Sequence, residues 1–285
     1  MNRRDFLLKS ARAMIPVAGS YLISTNPAIA KAIQQASVED ESQQQESPVY
    51  HFEGFNERVQ AYIVGRYYVR LKGAFGEQGL EVFQLATRTY AEQRGHRMAQ
   101  QALADGQPLT IETYHRYGEW VSSDECRRKG EDLQQQVIWD APYYTFHVTR
   151  CPWSIQFRDM GLQEAGIAYC KDLDASIYRG FNPAIAYETR QTLNSAGYCI
   201  QCAPGSKVSA EALACPKRPS SLRSFEYHCA HSYWTFRQVI SSMFGTKGKS
   251  ISEEVLGDIR RELGNSFAVT LTKYQNTDFD VVTNK

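Results

Sequence analysis

The chain has 285 residues, 42% of them hydrophobic, and 32 Lys/Arg against 31 Asp/Glu give it a formal charge of +1. That balance supplies no basic field of the kind nucleic-acid binding requires, and the length is enough for one sizeable core or two small ones. No run of about 20 apolar residues occurs, so no segment reads as a membrane span.

Residues 1–30 carry a charged start, a short apolar stretch interrupted by Pro16 and Gly19, and the small-x-small triplet Ala28-Ile29-Ala30. This is the pattern of a removable export signal. Arg3-Arg4, followed by Asp5-Phe6-Leu7 and Lys9, resembles the twin-arginine type, which is read by a machinery that passes folded proteins; an ordinary secretory signal that happens to hold two arginines is the alternative. Cleavage after Ala30 gives a periplasmic or otherwise exported protein with a charge of −2 and no membrane anchor in its mature form. Residues 31–48 are polar and nearly without large apolar groups, which predicts a flexible linker. A single domain is then expected over 49–285.

Residues 56–104 have the three-four spacing of a helix face at Val59, Tyr62, Ile63 and Arg66, a break at Gly73, Gly76 and Gly79, and a second helix from Leu80 to Met98. Asp105-Gly106-Gln107-Pro108 ends it. Residues 110–137 read as one or two further helices, with Trp120 toward the core. The texture changes near Ile138. Tyr143–Thr149 reads as a strand stopped at Cys151-Pro152, Trp153–Tyr178 as two helical pieces around Gly161, and Ala184–Leu193 with Tyr198–Cys202 as a hairpin of two strands.

Residues 203–220 read as an irregular excursion. Ser224–Phe244 is a helix with two apolar faces, and Ile251–Leu263 a last amphipathic one; Phe267–Leu271 suits either a strand or a helical continuation. Phe75-Gly76-x-x-Gly79 recurs as Phe244-Gly245-x-x-Gly248, the hint of a repeated helix hairpin. The fold class is therefore α+β, mainly helical (56–137 and 220–285), with a mixed part over 138–202 holding a small antiparallel sheet of about three strands.

Candidate chemistry concentrates between Tyr143 and Cys202. Cys151 ends a strand and opens a helix, where amide groups lower a thiol pKa; a buried structural cysteine is the alternative. Cys170 and Asp174 are four apart and share a helix face, while Asp172 points elsewhere. Cys199-x-x-Cys202 is half of a zinc knuckle without a second tight pair. His228 and His231 are neighbours on the last long helix, and His231 suits a base, a ligand or a hydrogen-bonded core residue. The seven cysteines, at 126, 151, 170, 199, 202, 215 and 229, leave at least one thiol unpaired in a monomer.

Cys151-Pro152, Cys170-x-Asp172, Asn182-Pro183 and Gly197-x-Cys199 together resemble the L-2-amino-thiazoline-4-carboxylic acid hydrolase family. Arg94-Gly95 with Met98-Ala99, and His228-Cys229-Ala230-His231, look like that family's exported members. The resemblance spans residues 56–280 and implies a small-molecule substrate, a cyclic amidine whose C–N bond is opened to give a carbamoyl-cysteine. By chemical inference from the residue types, Cys151 is the candidate nucleophile, Asp172 the partner of the amidinium or a base, and His231 a base. Arg150 and Arg190 are candidates for a substrate carboxylate, with Asn182, Cys199 and His228 as further binding residues. A divalent metal is compatible with these residue types, although no spacing demands one. A second reading is an exported thiol- or metal-binding accessory protein for a partner enzyme.

Overall fold

The computed structural model describes residues 50–282; the leader and linker expected over residues 1–48 lie outside them. Helix α1 (Glu57–Ala104) opens at Asn56, whose side chain accepts from the Val59 amide at 2.9 Å, satisfying one of the free N–H groups of the first turn. At Gly76 the backbone takes φ 57°, ψ −131°, a region open only to glycine. The chain reverses there. Tyr68 consequently meets Phe83 edge to face at 5.3 Å, and Gln60 Nε2 donates to the Tyr90 hydroxyl at 2.7 Å. Fifteen residues of straight helix would keep the first pair roughly 22 Å apart. A Cβ at Gly79 would collide with the Leu71 carbonyl, so the second glycine lets the two arms close.

Two short helices follow, α2 (Ile111–Arg116) and α3 (Asp124–Arg128), then strands β1 (Gln134–Trp139) and β2 (Tyr143–Arg150). Helix α4 (Pro152–Asp159) starts directly after β2 with Pro152 at its first position, and α5 (Gln163–Phe181) follows the turn at Gly161. Strands β3 (Glu188–Gln191) and β4 (Cys199–Pro204) complete an antiparallel sheet of order β1-β2-β4-β3. Helix α6 (Ala210–Ala214) and a 3₁₀ turn (Pro219–Ser221) lie in the excursion. Helix α7 (Phe225–Glu262) and α8 (Asn265–Thr272) end the described part.

Helix α7 repeats α1. Gly245 has φ 59°, ψ −132°, and a Cβ at Gly248 would collide with the Ile240 carbonyl. Tyr233 Oη accordingly reaches the Ser252 carbonyl at 3.1 Å. The two hairpins meet at their tips, where Phe75 stacks on Phe244 with centroids 3.6 Å apart, and Val59, Tyr62, Tyr67, Phe83, Tyr233, Phe236 and Ile259 form a shared core. On its flank Asp258, fully buried, accepts from Arg66 at 3.0 Å and from Arg70 and Arg261 at 2.7 Å. A carboxylate shut from water needs such partners.

The sheet packs its inner face over α5, building a second core from Tyr144, Phe146, Val148, Tyr178, Cys199 and Ala203. Two expectations are corrected, and one left open between strand and helix is decided. The sheet has four strands rather than three, because residues 134–139 pair with β2 instead of ending a helix. The strand expected over 184–193 narrows to β3, since Asn182 Oδ1 accepts the Ala184 amide at 3.0 Å and turns the chain there. Residues 267–271 are helical.

Candidate active site

Strand alternation turns Cys199, Gln201 and Ala203 of β4 inward, and the four-residue helical period puts Cys170, Asp174 and Tyr178 of α5 on the face opposite. The two elements join where Gln201 Nε2 donates to Asp174 Oδ2 at 3.2 Å. Thr189 Oγ1 donates to Gln201 Oε1 at 2.8 Å, which fixes the amide with its N–H toward the carboxylate. Arg94 arrives from the second arm of α1 at a close helix crossing. A Cβ at Gly95 would collide with the backbone of Ile177 and Phe181, and one at Gly180 with that of Glu92. Only glycines allow this approach.

The half-buried polar groups between these elements mark the candidate cleft. Tyr114, His115, Cys151, Cys170, Asp174, Tyr187 and Lys217 each keep part of their surface bare, yet burial dominates the ionisation of every one of them. Groups that are surrounded by protein and still incompletely covered line a concavity. Tyr114 stacks on Tyr178 at 3.7 Å, and Tyr178 on Tyr187 at 4.0 Å, forming one wall.

Burial pushes the Asp174 carboxyl up to about 6, against the opposing pull of Arg94 and the Gln201 hydrogen bond. Arg94 is 7% exposed, makes no hydrogen bond to any described residue, and leaves its Nε buried without a partner. Its ion pair with Glu119 is long, at 3.6 Å. Glu119 is instead engaged by Arg97, which donates to it at 2.8 and 2.7 Å. A cation that is buried and under-coordinated beside a carboxylate of raised pKa is the arrangement expected of a binding or catalytic centre.

The charge of Asp174 bears on Cys151, Cys170 and Cys199. Burial pushes Cys151 up to about 12, although the Ser154 and Trp153 amides of α4 pull the other way, and Cys199 up to about 11. The expected low thiol pKa is thereby corrected, because desolvation outweighs the helix terminus. Cys199 and Cys202 point to opposite faces of β4, as strand alternation requires of residues three apart. All seven cysteines are unpaired. Among the described residues, no group of three His, Cys, Asp or Glu side chains is placed to hold a metal ion.

The expected set Cys151, Asp172 and His231 is not brought together. Asp172 faces Arg88 at 3.1 Å on the other side of α5. His231 is fully buried, with Nε2 2.8 Å from Gln93 Oε1 and Nδ1 3.4 Å from Arg97. His228 has Nε2 3.2 Å from the Glu119 carbonyl, and burial lowers its pKa to about 3. Both histidines belong to the network in which Arg97 also holds the Phe279 carbonyl and so fixes the C-terminal segment.

Arg150 pairs loosely with Asp132 at 3.8 Å, and Arg190 pairs with Glu188 on exposed β3. Asn182 ties the end of α5 to the Leu109 carbonyl at 2.7 Å. Cys151 and Cys199 do line the cleft. Asp174, Arg94, Gln201 and Lys217 were not among the expected site residues. The spacing of Cys170 and Asp174 signalled the first, and Arg94-Gly95 stood in the sequence as a marked pair; nothing local distinguishes the other two.

Two open grooves of about 550 Å³ each lie elsewhere, one bordered by Asp105 and Arg218 and the other by Lys72 and Glu164. In the first Asp105 pairs with Arg218 at 2.8 Å while Arg223 has no ion-pair partner among the described residues, and in the second Lys72 pairs with Glu164 at 2.7 Å. No curated protein and no solved structure matches the chain. A family model described as L-2-amino-thiazoline-4-carboxylic acid hydrolase matches residues 56–199, a span that contains Arg94, Cys151, Cys170, Asp174 and Cys199 and excludes both histidines. With that match over half its length, the chain belongs to the L-2-amino-thiazoline-4-carboxylic acid hydrolase family, and its function is hydrolase-like at that level.

Proposed function

We propose that the protein hydrolyses a small cyclic amidine bearing a carboxylate, with Arg94 and Asp174 as the two poles of the site. The observation that carries this reading is the pairing of an under-coordinated buried guanidinium with a carboxyl of raised pKa across one cleft. A zwitterionic ring with an amidinium at one end and a carboxylate at the other complements both.

Asp174 Oδ2 is occupied by Gln201, which leaves Oδ1 for the substrate side. The ionised carboxylate faces the amidinium and takes a proton from an attacking water, while the water oxygen bonds to the ring carbon between nitrogen and sulfur. The tetrahedral adduct then expels the ring nitrogen, to which Asp174 returns the proton. The C–N bond breaks, the carbonyl forms as the adduct's hydroxyl proton passes to the released amine, and the carbamoyl group remains on sulfur. A carboxyl with a pKa near 6 is suited to both transfers. Water attack is favoured over thiol attack because burial keeps Cys151, Cys170 and Cys199 protonated.

The test is turnover of L-2-aminothiazoline-4-carboxylate by the purified protein and by Asp174→Asn, Arg94→Met and Cys151→Ser. Asp174→Asn is expected to lose about 100- to 10,000-fold in kcat, and Cys151→Ser to stay within about tenfold. Product carrying the carbamoyl group on nitrogen would mean that the C–S bond breaks instead. Full activity of Asp174→Asn would remove the reading.

A further inference from the structure

The larger part of the groove beside Asp105 and Arg218 is formed by two stretches of chain. The end of α1 supplies Gln101, Ala104 and Asp105, and the segment before α7 supplies Arg218, Leu222 and Arg223. Val282 of the C-terminal segment adds to the lining, and its N–H donates to Gln100 Oε1 at 2.9 Å. The space amounts to about 550 Å³, and none of its lining residues belongs to the candidate cleft. Gln101 stands seven positions beyond Arg94 on the helix, roughly 10 Å along its axis.

Both oxygens of Asp105 are engaged within the protein. Arg218 lies 2.8 Å from Oδ2 through Nε and donates to Oδ1 at 3.0 Å through Nη2, while Tyr117 Oη donates to Oδ2 at 2.6 Å. This two-point pair neutralises both charges. Arg223 is left as the unmatched charge of the lining. It is half-buried, has no ion-pair partner among the described residues, and leaves Nε buried without a hydrogen bond. Its position is nevertheless fixed, because its main-chain N–H donates to the Glu119 carbonyl at 2.8 Å and its guanidinium lies 5.6 Å from the centre of the Tyr227 ring.

A second idle donor borders the same space. Gln101 is 7% exposed, its Oε1 accepts from Arg218 Nη1 at 3.5 Å, and its Nε2 is buried with no partner. Buried donors are ordinarily satisfied, so two unmet ones beside one groove call for an acceptor that the described residues do not supply.

We infer that this groove binds a small organic monocarboxylate, with the carboxylate on Arg223 and the Gln101 amide and the apolar body along Ala104, Leu222 and Val282. An apolar lining with a few polar groups to set orientation is the usual form of such a site. Arg218 and Arg223 against Asp105 leave one positive charge in excess, which suits a monoanion; a phosphate dianion would be repelled by the Asp105 carboxylate. This site goes beyond the amidine reaction and does not depend on it.

The experiment measures binding by isothermal titration to the full-length purified protein, with 3-methylbutanoate, its neutral amide and inorganic phosphate as probes. Wild type should bind 3-methylbutanoate at one site, and the amide and phosphate at least about 10-fold more weakly, since each lacks either the charge or the apolar body. Arg223→Met should raise Kd for 3-methylbutanoate about 10- to 100-fold. Ala104→Trp fills the groove from an exposed helix end and leaves every charge in place, so it should abolish binding even if Arg223→Met fails to fold. Lys72→Met, in the other groove, should bind as wild type does. No binding by wild type would overturn the inference. So would binding that survives Ala104→Trp, which would place the anion elsewhere, and phosphate binding as tight as that of 3-methylbutanoate, which would remove the organic-acid class.

Discussion

Asp174 is held in the cleft in a form the fold resists, because its pKa rises from 3.8 to about 6 through burial. Between those values the native state binds more protons than the unfolded chain. The stability contributed by the protonated group is therefore complete below pH 3.8 and lost as the pH rises through 6. At pH 7 the ionised carboxylate costs on the order of 2–3 kcal/mol, so Asp174→Asn is expected to raise Tm while lowering turnover. A structural aspartate would lose stability on the same substitution, and calorimetry at pH 7 separates the two. As the base of the free protein, Asp174 should also make kcat/KM rise with pH through about 6.

The sequence singled out the segment from Tyr143 to Cys202 and the carboxylate Asp172, which the structure pairs with Arg88. Cys170-x-Asp172 stands out as a motif, but a helix presents residue i+4 beside residue i, and the carboxyl that reaches the cleft is Asp174. Arg94 was marked in the sequence only by the pair Arg94-Gly95, and the missing hydrogen bond at its Nε is visible only in the fold.

At the scale of elements, the recurring Phe-Gly-x-x-Gly marks two chain reversals that the intervals of the motif made legible. The first glycine takes a positive φ and the second lets the arms close. Gly76→Ala and Gly245→Ala are expected to cost about 1–3 kcal/mol each through backbone strain. Gly79→Ala and Gly248→Ala should cost more, since the new methyl would meet main chain that cannot turn away. Urea unfolding of the four variants would check both the size and the order.

Strand β1 escaped the sequence because QQQVIW lacks period-two alternation, and all six of its residues are exposed. Its pairing with β2 is a tertiary preference that local pattern does not encode. Asn182-Pro183 proved legible as a turn, with the Asn side chain bonded on both sides.

Across the whole molecule, the helical hairpins and the sheet each build a core, and the cleft lies where the second arm of α1 and α5 meet the inner face of the sheet. The buried histidines make this assembly sensitive to acid. His115 is lowered to about 4 and His228 to about 3 by burial, and His231 lies well below its ordinary value. Their folded pKa values are depressed, so the stability they contribute is present above pH 6.5 and declines as the pH falls toward the folded values, by about 1.4 kcal/mol per pH unit for each. Thermal unfolding should show a steep loss of Tm between pH 6 and pH 4, smaller in His228→Gln. An unchanged slope in that variant would assign the acid loss to other groups.

The twin-arginine reading of residues 1–30 remains a proposal. Lys-Lys in place of Arg3-Arg4 should leave precursor in the cytoplasm, and unimpaired export in a fractionation experiment would defeat it.

Hydrolysis of L-2-aminothiazoline-4-carboxylate in ¹⁸O-labelled water, followed by mass spectrometry of the product, tests the central claim most directly. A single ¹⁸O should enter the carbamoyl carbonyl of a carbamoyl-cysteine with the purified protein, and Asp174→Asn should form this product at least about 100-fold more slowly. No product from the wild-type protein, or an equal rate of labelling by the Asp174 variant, would contradict a site built on Asp174 and Arg94.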